Sequence, residues 1–163
     1  MTYPAVDPAD FRAAMSQFAS GVTVVATLDG GGVPAGFTAS AFSSLSLEPP
    51  LVLVCLDRRA ECFDAFATCE AMGISILAEG QATIATVFAT RGADKFGESP
   101  IEKGRVTGMP LVAGALAHVE CEMHERFDGG DHLILVGRVV QASAAEERPL
   151  LHYNRSFGRF VAD

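Results

Sequence analysis

Residues 34–50 read Pro-Ala-Gly-Phe-Thr-Ala-Ser-Ala-Phe-Ser-Ser-Leu-Ser-Leu-Glu-Pro-Pro, and no other stretch restricts the fold as tightly. Small and hydroxyl side chains crowd its middle: Gly36, Thr38, Ala39, Ser40, Ala41, Ser43 and Ser44. A strand that only fills a core carries branched apolar side chains at its inward positions. Here those positions are pared down, so a flat ligand can lie close to the backbone with hydroxyls and main-chain N–H groups at its polar edge. The plainer alternative is a serine-rich loop ahead of a Pro-Pro turn.

The flanking segments decide the fold class. Asp7-Pro8 predicts a helix start, with Asp7 as cap and Pro8 in the first turn, and Phe11, Ala14, Met15 and Phe18 follow on one apolar face. Residues 22–28 read as a buried strand and 29–32 as a glycine hairpin turn, with residues 34–50 as the next strand. Strands are expected at 51–56 and 73–78, and helices at about 61–70 and 80–90. Residues 91–110 read as a long polar surface excursion. A hairpin follows, 115–126 and 132–143 around a four-residue hinge at 128–131, and then a tail at 149–153 and 157–161. Many strands joined by turns, with few helices and no βαβ alternation, predict a mainly β fold: a closed antiparallel barrel decorated by peripheral helices.

The length of 163 residues fits one domain. Twelve basic against twenty acidic residues give a net charge of −8, which repels phosphate backbones and anionic lipid and argues against nucleic-acid or membrane partners. No apolar run is long enough to span a bilayer, and no leader pattern is visible at the start, so a cytoplasmic location is the expectation. An acidic chain that binds a phosphorylated ligand must concentrate its cations locally, and Arg58, Arg59, Arg91, Lys95 and Lys103 are the candidates. Cys55, Cys62, Cys69 and Cys121 form no C-x-x-C pair and share no ligand spacing with the histidines, which predicts reduced thiols and no zinc site. The glycines near residue 30 lack the lysine and hydroxyl of a P-loop. Ser40 or Ser44 with His132 and Asp131 could be drawn as a triad, yet no strand–Gly-x-Ser-x-Gly–helix elbow supports it.

Several spaced blocks carry a family likeness. Phe18-Ala-Ser-Gly-Val-Thr-Val-Val-Ala-Thr precedes the opening stretch and Leu51-Val-Leu-Val-Cys-Leu-Asp follows it. Beyond these come Phe88-Ala89, Lys95-Phe96, Glu120-Cys121, Gly130-Asp131-His132 and Pro149-Leu-Leu-His-Tyr153. Over about residues 11–160 this order resembles the short-chain flavin reductases, the reductase components of two-component flavin-dependent monooxygenases. The resemblance implies an FMN-binding split β-barrel occupying the chain as one flavin reductase-like domain, usually a homodimer. It also implies FMN or FAD as the flavin and NADH or NADPH as hydride donor, with the dinucleotide stacked over the flavin in an open groove. Reduced flavin would then diffuse to a partner monooxygenase. No Rossmann fingerprint is present to choose between the nicotinamides.

On this resemblance Thr38, Ala39, Ser40 and Ala41 line the isoalloxazine and ribityl chain, with Phe37, Phe88 and Phe96 also counted among the cofactor-binding residues. Cys55, Leu56 and Asp57 mark the strand end beneath the ligand. Relatives often carry asparagine or serine near positions 57 and 60, where this chain has Asp57 and Ala60; backbone N–H groups and Arg58 would serve a phosphate there instead. Lys95 resembles the family's phosphate-proximal lysine, with Arg91 assisting, against the alternative of a solvated surface charge. His132 is implied near the nicotinamide, orienting it, against the alternative of a hairpin histidine bonded to Asp131. Tyr153 stacks on the nicotinamide side or forms part of a dimer interface. Cys55 and Cys121 are expected to be inert packing residues. A flavin-binding protein without turnover, storing or sensing FMN, and a barrel with a fixed flavin are the competing readings.

Overall fold

Two consecutive strands, β3 (Pro34–Ala39) and β4 (Phe42–Ser46), sit at opposite ends of a seven-stranded antiparallel sheet in a computed structural model that describes residues 2–162. Only Ser40 and Ala41 separate them. The sheet must therefore curl until its ends approach each other, which is how a split barrel closes. Its order is β3, β2 (Thr23–Leu28), β6 (Ala71–Ile76), β9 (Ala117–Gly129), β10 (His132–Ala144), β5 (Leu51–Asp57) and β4. The small-residue stretch is thus two strands with a corner, not one. The Ala41 carbonyl accepts a 3.0 Å hydrogen bond from Cys55 N across that corner.

Both faces of β2 are covered, so it reads as a continuous apolar run instead of alternating. Val25 points into the barrel core with Phe37, Val54, Leu56, Phe66, Met72, Ile74 and Leu135. Val24 points to a second core outside the sheet, with Leu77, Val112, Leu150 and two residues of α3 (Ala82–Ala89), Ala85 and Phe88. This second core fixes α3 against β3, and so shapes the space beside the pared-down strand.

The first helix, α1 (Pro8–Met15), begins as predicted, Asp7 Oδ1 accepting from Ala9 N at 2.7 Å. Among the described residues nothing covers its apolar face: Phe11, Met15 and the following Phe18 are 53%, 55% and 80% exposed. The helix expected at 61–70 is shorter, α2 (Phe63–Thr68), because the Cys62 side chain makes no capping bond and Cys69 turns to extended backbone. The hinge of the long hairpin is also shorter than predicted. Strand β9 pairs through Gly129 with His132, leaving only Gly130 and Asp131 as the loop, where Gly130 supplies φ +72°. A small sheet joins β1 (Ser20–Gly21), β11 (Leu150–Tyr153) and β12 (Ser156–Arg159).

Residues 91–110 are not a bare surface excursion. They include β7 (Ile101–Lys103), which pairs with β8 (Pro110–Val112). The connection between them is held by a buried carboxylate on β9, Glu120, only 2% exposed. It accepts from the backbone N of Arg105 (2.8 Å), Val106 (3.1 Å) and Thr107 (2.6 Å) and from Thr107 Oγ1 (2.7 Å). A buried charge must be fully hydrogen-bonded, and here the loop supplies the donors.

Candidate functional site

A cavity of about 660 Å³ opens between β3, the corner after it, the end of β5 and the segment following α3. One wall is the pared-down strand: Phe37, Thr38 and Ala39, continuing through Ser40 and Ala41. Among the described residues, strand β3 has a strand neighbour on one side, β2, so alternate residues turn their N–H and C=O groups away from the sheet, where a ligand can meet them. The floor is Cys55, Leu56 and Asp57, with Ala60 just beyond. Phe88, Arg91, Lys95 and Phe96, from the end of α3 and the segment after it, also line the cavity, as does His132. Most of the predicted site residues therefore meet in one place.

Close packing of this wall depends on Gly36. A Cβ there would come within 2.9 Å of the Val25 carbonyl oxygen and 3.0 and 3.2 Å of the Phe88 and Phe96 rings. Those rings pack edge to face at 5.2 Å between centroids. Thr38 Oγ1, in turn, donates to the Ala85 carbonyl of α3 at 2.6 Å. Wall and helix are tied together by a glycine contact and a hydroxyl.

Electrostatics divide the cavity into two ends. At the first, Asp57 accepts from Arg59, at 2.8 Å from the backbone N, 3.1 Å from Nε and, through Oδ2, 2.8 Å from Nη2. Hydrogen bonding from the Arg59 side chain, then its backbone, holds the Asp57 carboxyl well below the ordinary carboxylate value. Strand pairing sets His132 opposite Asp57, and His132 Nδ1 lies 2.7 Å from Asp131 Oδ1. The hairpin bond to Asp131 and the cavity-facing position therefore coexist. Neither Ser40 nor Ser44 hydrogen-bonds to His132 among the described residues; Ser44's carbonyl accepts from Ser43 Oγ instead.

At the second end Lys95 is only 14% exposed, not a solvated surface charge. Its ammonium donates to the Thr90 carbonyl (2.9 Å) and to Glu61 Oε2 (3.3 Å). Arg91 Nε lies 3.5 Å from Glu61 Oε1. The Gly92 N–H donates to Glu61 at 3.0 Å, and this bond is the main reason the Glu61 carboxyl lies below its usual value. The Cys55 thiol is pushed up by burial, and burial raises Cys62 to about 11 and Cys121 to about 12. All three are poor thiolates near neutral pH, as packing residues are.

Two expected ligands of the site lie elsewhere in this chain. Arg58 is absent from the lining because its guanidinium pairs with Asp128 and donates to the Gly130 carbonyl, over the Phe63 ring; its neighbour Arg59 faces the cavity instead. Tyr153 is likewise outside the lining, its hydroxyl 2.8 Å from Gln17 Oε1. Glu61 and Cys62 line the cavity although neither stands out in the sequence; their place between Ala60 and α2 is the signal that was there to follow.

A curled antiparallel barrel whose closing corner lines a cavity, with small side chains along one wall and Arg91 and Lys95 gathered about Glu61, defines a split-barrel protein suited to a flat ligand. Residues 15–160 match the model of the flavin reductase like domain, and the chain belongs to that family. It is 44% identical over 96% of its length to 83% of the reductase component of a 4-nitrophenol 4-monooxygenase/4-nitrocatechol 2-monooxygenase from Rhodococcus opacus. It is also 43% identical, over 94% of this chain and 86% of the relative, to the actinorhodin polyketide dimerase of Streptomyces coelicolor. Among solved structures, the NADH:FAD oxidoreductase of Streptomyces globisporus, in complex with NAD and FAD fragments, superposes with a TM-score of 0.90 at 37% identity, covering 99% of each chain.

Proposed function

We propose that this chain is an NAD(P)H-dependent flavin reductase, passing hydride from a reduced nicotinamide to FMN or FAD and supplying reduced flavin to a partner monooxygenase. The carrying observation is the cavity between β3 and the segment after α3, with its small-residue wall and its Lys95–Arg91 end. The flavin supplies the redox chemistry; the chain has to hold and orient it. On this reading the backbone groups of residues 38–41 and the Thr38 and Ser40 region meet the polar edge of the ring. Lys95, Arg91 and the Gly92 N–H face the phosphate, and His132 orients the nicotinamide over the open side. The Rhodococcus relative named as a monooxygenase reductase component and the NADH:FAD oxidoreductase of Streptomyces globisporus support it.

The whole chain acts as one such domain, and two copies associate. What supports pairing is the uncovered apolar surface of Phe11, Met15 and Phe18, together with Phe157 and Phe160 near the end of the chain, 42% and 55% exposed. Tyr153 lies beside this surface, near Gln17, and would reach a ligand only through a partner. Among the described residues no helix is long and apolar enough to cross a membrane; cytoplasmic action is part of the proposal.

The test is anaerobic: purified protein with NADH or NADPH, and with FMN or FAD, followed at the nicotinamide absorbance. The proposal expects oxidation that depends on both added flavin and protein, and its absence with every combination overturns it. A second reading, a tightly held flavin serving one small substrate, draws on the relative named as a polyketide dimerase. Stoichiometric flavin surviving gel filtration, with no release of reduced flavin, would select it.

A further inference from the structure

The cations of the cavity are not waiting free. Among the described residues, the arginine and lysine side chains that line it are Arg59, Arg91 and Lys95. Arg59 is committed to Asp57 by a two-pronged pair. The other two, and the Gly92 N–H between them, converge on one carboxylate, that of Glu61. Glu61 comes from a different part of the chain, the turn before α2, so it reaches across to the 90–95 segment as a separate anion would.

We infer that the Glu61 carboxylate occupies the anion position of the cavity and thereby sets how weakly a phosphorylated flavin is held. An ammonium has three donors, and Lys95 gives two of them to Thr90 and Glu61. A phosphate arriving at Lys95 and Gly92 must take the donors Glu61 now holds, or lie within a few ångströms of a like charge. Glu61 and Arg91 are 41% and 77% exposed, so their pairing is solvent-screened and can be displaced. The opposition acts on the phosphate; a flavin that carries none does not meet it. A chain that hands its flavin onward benefits from such an internal competitor, which speeds release without altering ring recognition. This inference rests on the flavin reading above, with Glu61 as a specificity-determining residue of the same site.

Fluorescence titration of riboflavin, FMN and FAD into the wild-type protein and the Glu61→Gln variant tests it without any turnover. Glutamine keeps the length of the side chain and an acceptor for the Gly92 N–H. The expected result is FMN binding about tenfold tighter in the variant, with riboflavin unchanged within about twofold and the FMN gain shrinking as salt is raised. FMN affinity that stays the same or falls in the variant, while riboflavin still binds, overturns the inference and makes Glu61 a scaffold for residues 90–95. Wild-type protein that binds none of the flavins overturns the flavin reading itself, and the inference with it.

Discussion

Thr38 Oγ1 sits 2.6 Å from the carbonyl oxygen of Ala85, joining the wall of the cavity to α3, whose last residues also line it. Threonine on a strand usually satisfies its hydroxyl locally; here it reaches a residue 47 positions away. The bond ties β3 to α3 and so braces the wall of the slot. Thr38→Val keeps the shape and removes the donor. It should destabilise the protein by about 1 kcal/mol, read from urea unfolding, and Thr38→Ser should recover most of the loss. A valine variant as stable as wild type would mean the bond does not brace the wall.

His132 lines the cavity, carried by the strand pair that places it opposite Asp57 and oriented through Nδ1 by Asp131. If, as proposed, it orients the dinucleotide and not the flavin, His132→Ala should lower kcat/KM for the nicotinamide about tenfold while leaving the FMN dissociation constant within about twofold. Stopped-flow reduction and flavin titration separate the two. Weakened FMN binding with an unchanged nicotinamide rate would assign His132 to the flavin instead.

Glu120 ties the 105–107 loop to β9, and its carboxyl carries a pH signature. Burial pushes it up, but the hydrogen bonds from Thr107, Val106 and Arg105 outweigh burial and leave it below the ordinary carboxylate value. A group whose folded-state value is depressed stabilises the fold above its unfolded value and loses that contribution as pH falls through the folded one. Glu120→Gln should therefore cost about 2 kcal/mol at neutral pH, and the gap to wild type should close as pH drops below about 4. Urea midpoints at a series of pH values check both, and a gap independent of pH would remove the charge from the explanation.

Local chemistry was legible in the sequence where one or two neighbours decide it. The Asp7-Pro8 helix start, the strand after Pro49-Pro50 and the glycine turn after Asp29 all depend on residues within a few positions, and each is where expected. The pared-down stretch also lines a cavity, but its division at Ser40-Ala41 was not legible. The corner exists because β3 pairs back with β2 and β4 forward with β5, and the two hairpins are carried to opposite ends of the sheet by β6, β9 and β10, which come from later in the chain. The same holds for the charged groups. Arg58 and Arg59 are adjacent and chemically alike; Asp128, on the distant hairpin, draws Arg58 outward and leaves Arg59 facing the cavity. Glu120 is one of several charged residues along β9, and its partner loop looked unstructured, so nothing nearby announced its donors. Family likeness placed Lys95 near the ligand, yet Glu61, which holds it, lies 34 residues earlier.

The central claim is that the slot beside β3 receives the ring of the flavin. Ala41 lines that slot and is exposed, so a large side chain there fills the space without disturbing a packed core. The direct measurement is FMN titration of the wild-type protein and of Ala41→Trp, each checked for an unchanged thermal midpoint. The slot account predicts FMN affinity at least about tenfold weaker in the tryptophan variant. Equal affinity in the two proteins, with both folded, would contradict it.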